Sequence, residues 1–148
     1  MVDFDLLCKS KLVAVSMSRA HARARLKETS KMNQIPQIHH EKLEVYQKAI
    51  KFLILVTSIN KEVPRGNSEF KDQLKRASLS IVLNTAEGYG KYHNRDKVRF
   101  YQIAKGSAHE CAAVLDCLKV VGFIEGKNYQ KGKRLIYDVV CMLVRLCQ

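Results

Sequence analysis

The sequence predicts an all-α fold: an antiparallel up-and-down four-helix bundle over residues 39–148, preceded by a flexible basic N-terminal extension over residues 1–38. Three observations carry this expectation. Only two prolines, Pro36 and Pro64, and seven glycines interrupt 148 residues, too few breakers for a sandwich of many short strands. Four stretches repeat apolar residues at three- and four-residue spacing, the period of a helix with one face turned to a core. The gaps between those stretches are short, so successive helices should run antiparallel. A hydrophobic fraction of 47% at this length supports one domain with a real core, and not two.

The extension stands apart by composition. Arg19, Arg23, Arg25, Lys27 and Lys31 crowd a segment with little periodic apolar content that ends in Asn33, Gln34 and Pro36. Two readings stand: an arginine-rich arm that orders on RNA, or an unstructured tail, with Met17 or Met32 as alternative starts. The first helix is expected over residues 41 to about 61. It carries one stripe through Leu43, Tyr46, Ile50, Leu53 and Thr57 and a second through Val45, Ala49, Phe52, Val56 and Ile59. Two adjacent stripes are wider than a monomeric surface helix needs, so the second is expected to pack against another subunit.

Residues 63–67, Val-Pro-Arg-Gly-Asn, should end that helix, with Asn67 or Ser68 capping the next. The second helix is expected from residue 68 to about 88, with Phe70, Leu74, Ala77, Ile81 and Asn84 inward and with Gly88 and Gly90 as its stop. Asn94 should cap a long third helix reaching residue 121, with Asp96 in its first turn and a stripe of Tyr101, Ala104, Ala108, Cys111, Leu115 and Leu118. Gly122 and Gly126 mark the next turn. A fourth helix carries Leu135, Val139, Met142 and Leu146 inward.

The formal net charge of +12, from 26 basic and 14 acidic residues, makes a polyanion the first partner to consider. The five cysteines, Cys8, Cys111, Cys117, Cys141 and Cys147, are odd in number and form no Cys-x-x-Cys pair, so they read as reduced thiols and suggest neither a disulfide framework nor a zinc knuckle. The longest apolar block, residues 52–56, is far short of the roughly 18 residues of a membrane span. Asp3, Asp5, Lys9 and Lys11 break up any signal-peptide layout, and the chain reads as cytoplasmic.

The most informative stretches are residues 73–88, Gln-Leu-Lys-Arg-Ala-Ser-Leu-Ser-Ile-Val-Leu-Asn-Thr-Ala-Glu-Gly, and residues 100–110, Phe-Tyr-Gln-Ile-Ala-Lys-Gly-Ser-Ala-His-Glu. They resemble the signature of the four-helix-bundle proteins encoded by intervening sequences of the 23S ribosomal RNA gene. That signature has an Arg-Ala…Ser-Ile…Asn-Ile-Ala-Glu-Gly pattern on its second helix and Ala-x-Gly-Ser-x-x-Glu on its third; here Thr85 replaces the usual Ile. Residues 43–49, Leu-Glu-Val-Tyr-Gln-Lys-Ala, resemble the family's first helix, so the resemblance runs from Leu43 to the C-terminus. It implies a bundle that assembles as a ring-like homopentamer, with a biochemical role that is poorly defined. A related branch, the accessory variability determinant of diversity-generating retroelements, is a basic pentamer that binds nucleic acid and associates with a reverse transcriptase. This chain resembles the intervening-sequence branch more closely.

Asn84 falls on the apolar line with Ile81, and a polar residue there must find partners. Arg76, Asn84, Glu87 and Glu110 are therefore expected to form an inter-helix hydrogen-bond network that sets helix register. A bundle metal site is not supported, because neither Glu87 nor Glu110 has a histidine three positions on, and residues 109–113 lack the second histidine of a zinc-protease helix. His93 and His109 have no nucleophile signature near them, and no glycine-rich phosphate loop is present. No catalysis, metal or cofactor is expected.

In an up-and-down bundle the first and third loops share one end. That end gathers Lys61, Arg65, Lys71, Lys75, Lys127, Lys131, Lys133 and Arg134, against Glu62, Glu69, Asp72 and Glu125. The opposite end offers Lys91, Arg95, Lys97 and Arg99. Either set, repeated around a homo-oligomer, would present a ring of positive potential to RNA or DNA, and the larger cluster supplies the candidate binding residues. Aromatic candidates for stacking on bases are few: Tyr92, Tyr129 and Tyr137. The competing expectation is a protein-interaction scaffold, for example a reverse-transcriptase accessory protein. Neither reading places the chain in a membrane.

Overall fold

A computed structural model describes residues 36–148. Beyond a short 3₁₀ turn at His39–Lys42, four helices follow: α1 (Glu44–Glu62), α2 (Ser68–Gly90), α3 (Asn94–Val120) and α4 (Gly126–Leu146). No strand occurs among the described residues. Helix α1 packs on α2 and α4, and α3 packs on the same two, which gives a square bundle without diagonal contacts. The extension expected over residues 1–38 lies outside the described residues apart from 36–38, as does Cys8.

The core is one apolar cluster drawn from all four helices, centred on Phe52, Leu74, Ile81, Leu115, Leu118 and Leu143. Helix α3 buries the six residues its period predicts: Tyr101, Ala104, Ala108, Cys111, Leu115 and Leu118. The two stripes of α1 exchange roles. Val45, Ala49, Phe52, Val56 and Ile59, expected at a subunit contact, are buried inside the chain's own bundle, whereas Leu43, Tyr46, Ile50 and Leu53 are half-buried flanks and Thr57 is exposed. The second stripe contains no polar side-chain atom, so burying it strands no hydrogen-bonding group. The Thr57 hydroxyl instead donates back to the Ile54 carbonyl at 2.7 Å on the solvent side.

Helix α2 departs from expectation at its second half. Leu74, Ala77 and Ile81 are buried, and the line continues through Thr85 and not through Asn84. Thr85 and Ser78 tolerate burial because each hydroxyl donates to its own helix, to Ile81 O at 2.7 Å and Lys75 O at 2.9 Å. Gly88 does not stop the helix. It is a buried helical residue at which a Cβ would lie 2.7 Å from the Tyr101 ring, so its missing side chain lets α3 approach closely. In α4 the inward line is Gly132, Ile136, Val139 and Leu143, one position off the expected Leu135, Met142 and Leu146, with only Val139 shared. Gly132 sets that rotation, since a Cβ there would stand 3.0 Å from Leu115 and 3.7 Å from Phe52.

The turns follow local chemistry. At the end of α3, Gly122 adopts φ +75°, with Gly122 N–H donating to Lys119 O and Phe123 N–H to Leu118 O, a Schellman closure that needs a residue free to enter the left-handed region. Gly66 serves the first loop in the same conformation, at φ +91°. The capping expectations are only partly met: Asn67 occupies the N-cap of α2 without a side-chain capping bond, and His93 is the N-cap of α3 in place of Asn94.

Candidate nucleic-acid interface

Loops 63–67 and 121–125 lie at one end of the bundle, stitched together by side chains from three helices. The Asn60 amide on α1 donates to Lys71 O on α2 at 3.2 Å, Asn128 on α4 donates to Glu62 on α1, and the rings of Phe70 and Phe123 meet edge to face at 6.2 Å. The tightest cluster joins α3 to α4. Asp116 accepts from the Tyr129 hydroxyl at 2.7 Å and from Lys133 Nζ at 2.7 and 2.9 Å, while Lys119 Nζ lies 4.4 Å from the centre of the Tyr129 ring. The hydrogen bond from Lys133, then that from Tyr129, holds the Asp116 carboxyl below the usual carboxylate range; the same contact raises the Tyr129 hydroxyl.

Of the eight basic residues expected to bind polyanion here, Lys61, Arg65, Lys75, Lys127, Lys131 and Arg134 are exposed and form no ion pair among the described residues. Lys71 is half-buried and Lys133 is committed to Asp116. Tyr129 is half-buried against the core, with Lys119 over its ring and its hydroxyl committed to Asp116. Sequence reasoning missed Asp116, and nothing local marks it. It also missed the α1–α4 pair of Lys48 with Asp138 at 2.6 Å, whose hydrogen bond raises the lysine above its ordinary value.

The residues expected to form one network are not brought together as one. Arg76 and Glu110 line a groove of about 390 Å³ between α2 and α3 with Gln73, Ser80, Leu83 and Asn84, and two contacts cross it: Gln73 donates to Glu110, and the Ser80 and Ser107 hydroxyls meet at 2.8 Å. Asn84 bonds within its own helix, to Ser80 O at 2.8 Å and Ser80 Oγ at 3.1 Å. Glu87 is outside the groove, paired along the helix with Lys91 at 3.0 Å. At the groove's rim Leu79 and Leu83 are exposed, and the antiparallel register set by Ser80 and Ser107 brings Ile103, also exposed, level with Leu83.

The other end is built by the turn at residues 91–93. Lys91 reaches back to Glu87 and over the Phe100 ring, 4.7 Å from its centre. Beyond it Tyr92 is 92% exposed, with His93 edge-on at 5.2 Å, and Arg95, Asp96, Val98, Arg99 and Gln102 line a recess of about 610 Å³ on the first turns of α3.

No three His, Cys, Asp or Glu side chains among the described residues gather in a group suited to a metal ion. Cys111 is fully buried, and burial pushes its thiol up to about 12, which leaves it protonated and unreactive. No described helix is long and apolar enough to cross a membrane.

The α2 and α3 motifs therefore face one another across the groove, in the order the resemblance requires. The family model of the 23S rRNA-intervening sequence protein matches residues 41–145. The chain belongs to the 23S rRNA-intervening sequence protein family. A solved structure similar to it is a protein of unknown function from the S23 ribosomal protein family of Bacteroides thetaiotaomicron, determined at 1.70 Å. The two share 20% identity over 70% of this chain and 98% of that one, with a TM-score of 0.65, a likeness of fold. No curated protein matches the chain. Family membership accounts for the four-helix architecture, and it assigns no reaction.

Proposed function

We propose that this member of the 23S rRNA-intervening sequence protein family is a non-catalytic, cytoplasmic homo-oligomer, a pentamer on the family resemblance, that binds RNA or DNA through basic side chains. The observation that carries the reading is the set of exposed, unpaired cations Lys61, Arg65, Lys75, Lys127 and Lys131 toward the end made by loops 63–67 and 121–125, with Arg134 further along α4. Over residues 36–148 there are 19 basic and 11 acidic residues, a net +8. Repetition of such a surface around an oligomer gives a ring of positive potential, and phosphates that displace counterions there are held in a salt-dependent way. The non-catalytic reading is supported by the buried, protonated Cys111, which cannot serve as a nucleophile.

Subunit packing is supported by the exposed Leu79, Leu83 and Ile103 beside the α2–α3 groove, since the α1 stripe first expected there is spent on the core. The same patch favours the second reading, a scaffold whose partner protein docks on α2 and α3. Light scattering and a salt titration of binding to generic RNA and DNA test both. A pentamer whose nucleic-acid affinity falls steeply with salt supports the proposal. A monomer, or an oligomer with no affinity for either polymer at low salt, overturns it in favour of the scaffold.

A further inference from the structure

We infer that the turn at residues 91–93 and the first turns of α3 form a binding site for single-stranded nucleic acid, in which Tyr92 stacks on a base while Arg95 and Arg99 hold the adjoining phosphates. The inference rests on the reading of the chain as a nucleic-acid binder and adds recognition of unpaired bases at the end opposite the larger basic cluster.

The first observation is the exposure of Tyr92. Tyr92 is left 92% exposed, and its one aromatic neighbour among the described residues is His93, set edge-on with an interplanar angle of 85°. Its attachment to the bundle is short. The turn is three residues long between two helices, no non-glycine residue in the described chain takes a positive φ, and Lys91 is tied on one side to Glu87 and on the other to Phe100. Behind the turn Gly88 lies against Tyr101 and Phe100, at a distance that leaves no room for a Cβ. A ring carried on a short turn between two packed helices loses less freedom on stacking than one on a long loop.

The second observation is the basic recess on the turns of α3 that follow Tyr92 in the chain. Arg95 and Arg99, four residues apart on one face of α3, border the recess with Asp96, Val98 and Gln102, and neither arginine pairs with an acid among the described residues. Unpaired guanidinium groups near a free aromatic face are the combination that tracks a single strand: the cations follow the backbone and the ring takes a base. Asp96 and Gln102 add an acceptor and an amide that can reach the edge of an unstacked base. An anionic membrane surface is the alternative for a basic, tyrosine-bearing tip, but a flat headgroup layer makes no use of a recess that offers an acceptor and an amide beside its cations. A duplex hides the base faces that Tyr92 would meet.

The test uses the full chain with a labelled mixed-sequence single-stranded DNA, the same sequence as RNA, the corresponding duplex, and vesicles containing an anionic lipid. Affinity is measured at two salt concentrations for the parent protein, Tyr92→Ala, Tyr92→Phe and Arg95→Ala/Arg99→Ala, each first shown to keep the parent's oligomeric state. We expect single strands to bind more tightly than duplex. Tyr92→Ala should weaken single-strand binding about tenfold, the scale of one base–aromatic stack, with duplex binding and the salt slope unchanged, and Tyr92→Phe should restore it. The double arginine variant should flatten the salt slope. Comparison of RNA with DNA tells which strand the site prefers. Duplex binding equal to single-strand binding, with no effect of Tyr92→Ala, overturns this inference and leaves the broader nucleic-acid reading in place. Binding to vesicles alone, or to none of the probes, overturns both.

Discussion

The two ends of the bundle use their cations differently. At the end made by loops 63–67 and 121–125 the basic residues are many, but they are interleaved with Glu62, Glu69, Asp72, Asp116 and Glu125, and the best-defined contacts hold helices together. At the end made by residues 91–93 the cations are fewer, and one of them, Lys91, steadies the turn while an aromatic ring is left in solvent. A count of charges ranks the first end above the second. The contacts show that part of that larger count is bracing, and the proposed contact to bases lies at the smaller cluster.

The largest effect expected from this difference is on binding. Replacing Lys61, Arg65, Lys127 and Lys131 together by alanine should lower affinity for single strands and duplex alike, by about a hundredfold, and reduce the salt slope by up to about 3.6, because phosphate contacts discriminate neither strandedness nor sequence. Filter binding across a salt series measures it, with oligomeric state checked first so that lost avidity does not imitate lost contacts. If the variant loses only single-strand binding, the division of labour between the ends is wrong. Lys133→Ala sharpens the point: it should leave affinity near that of the parent and lower the melting temperature, because Lys133 is occupied by Asp116.

Next in size is a change at the opposite end that removes no charge. Gly88→Ala drives a methyl group into the Tyr101 ring and should cost about 1–3 kcal/mol in urea unfolding, the range of an overpacked core. Unchanged stability would mean that the turn at 91–93 is not held by close packing, and would weaken the case for a rigid platform under Tyr92.

A smaller effect separates the ends by pH. Asp116 titrates below the ordinary carboxylate value because Lys133 and Tyr129 favour its charged form, so its contribution to stability is present above the unfolded-state pKa and is lost as pH falls through the depressed folded one. Asp116→Asn should cost under about 1 kcal/mol at neutral pH, since the pair is largely solvated, and should shrink the parent's loss of stability below about pH 4. Melting temperatures across an acid series check both. An identical acid profile in the two proteins would show that this brace contributes nothing.

The smallest expected changes concern the residues first assigned to an inter-helix network. Glu87→Ala should alter stability by no more than about 0.5 kcal/mol, as surface substitutions do, because Glu87 pairs along its own helix in solvent, and Asn84→Leu by under about 1 kcal/mol, because half-buried Asn84 bonds to Ser80 O and to the Ser80 Oγ that meets Ser107. A loss of several times that size, or a change in subunit number, would place them in a contact between subunits.

The sequence by itself determined that four helices form and which face of α3 turns inward, because one apolar line with no rival has only one way to be buried. The family, too, was legible in residues 73–88 and 100–110. Only the tertiary structure decided between the two stripes of α1, moved the buried line of α2 from Asn84 to Thr85, and turned Gly88 from a stop into a packing contact. The candidate site divides in the same way. The basic residues at both ends could be read from the chain, but the commitment of Lys133 and Tyr129 to Asp116, and the isolation of Tyr92, could not. The physical reason is that a period fixes which residues share a face. How far each helix rotates about its axis, and which distant charge meets which, depends on side chains contributed by the other three.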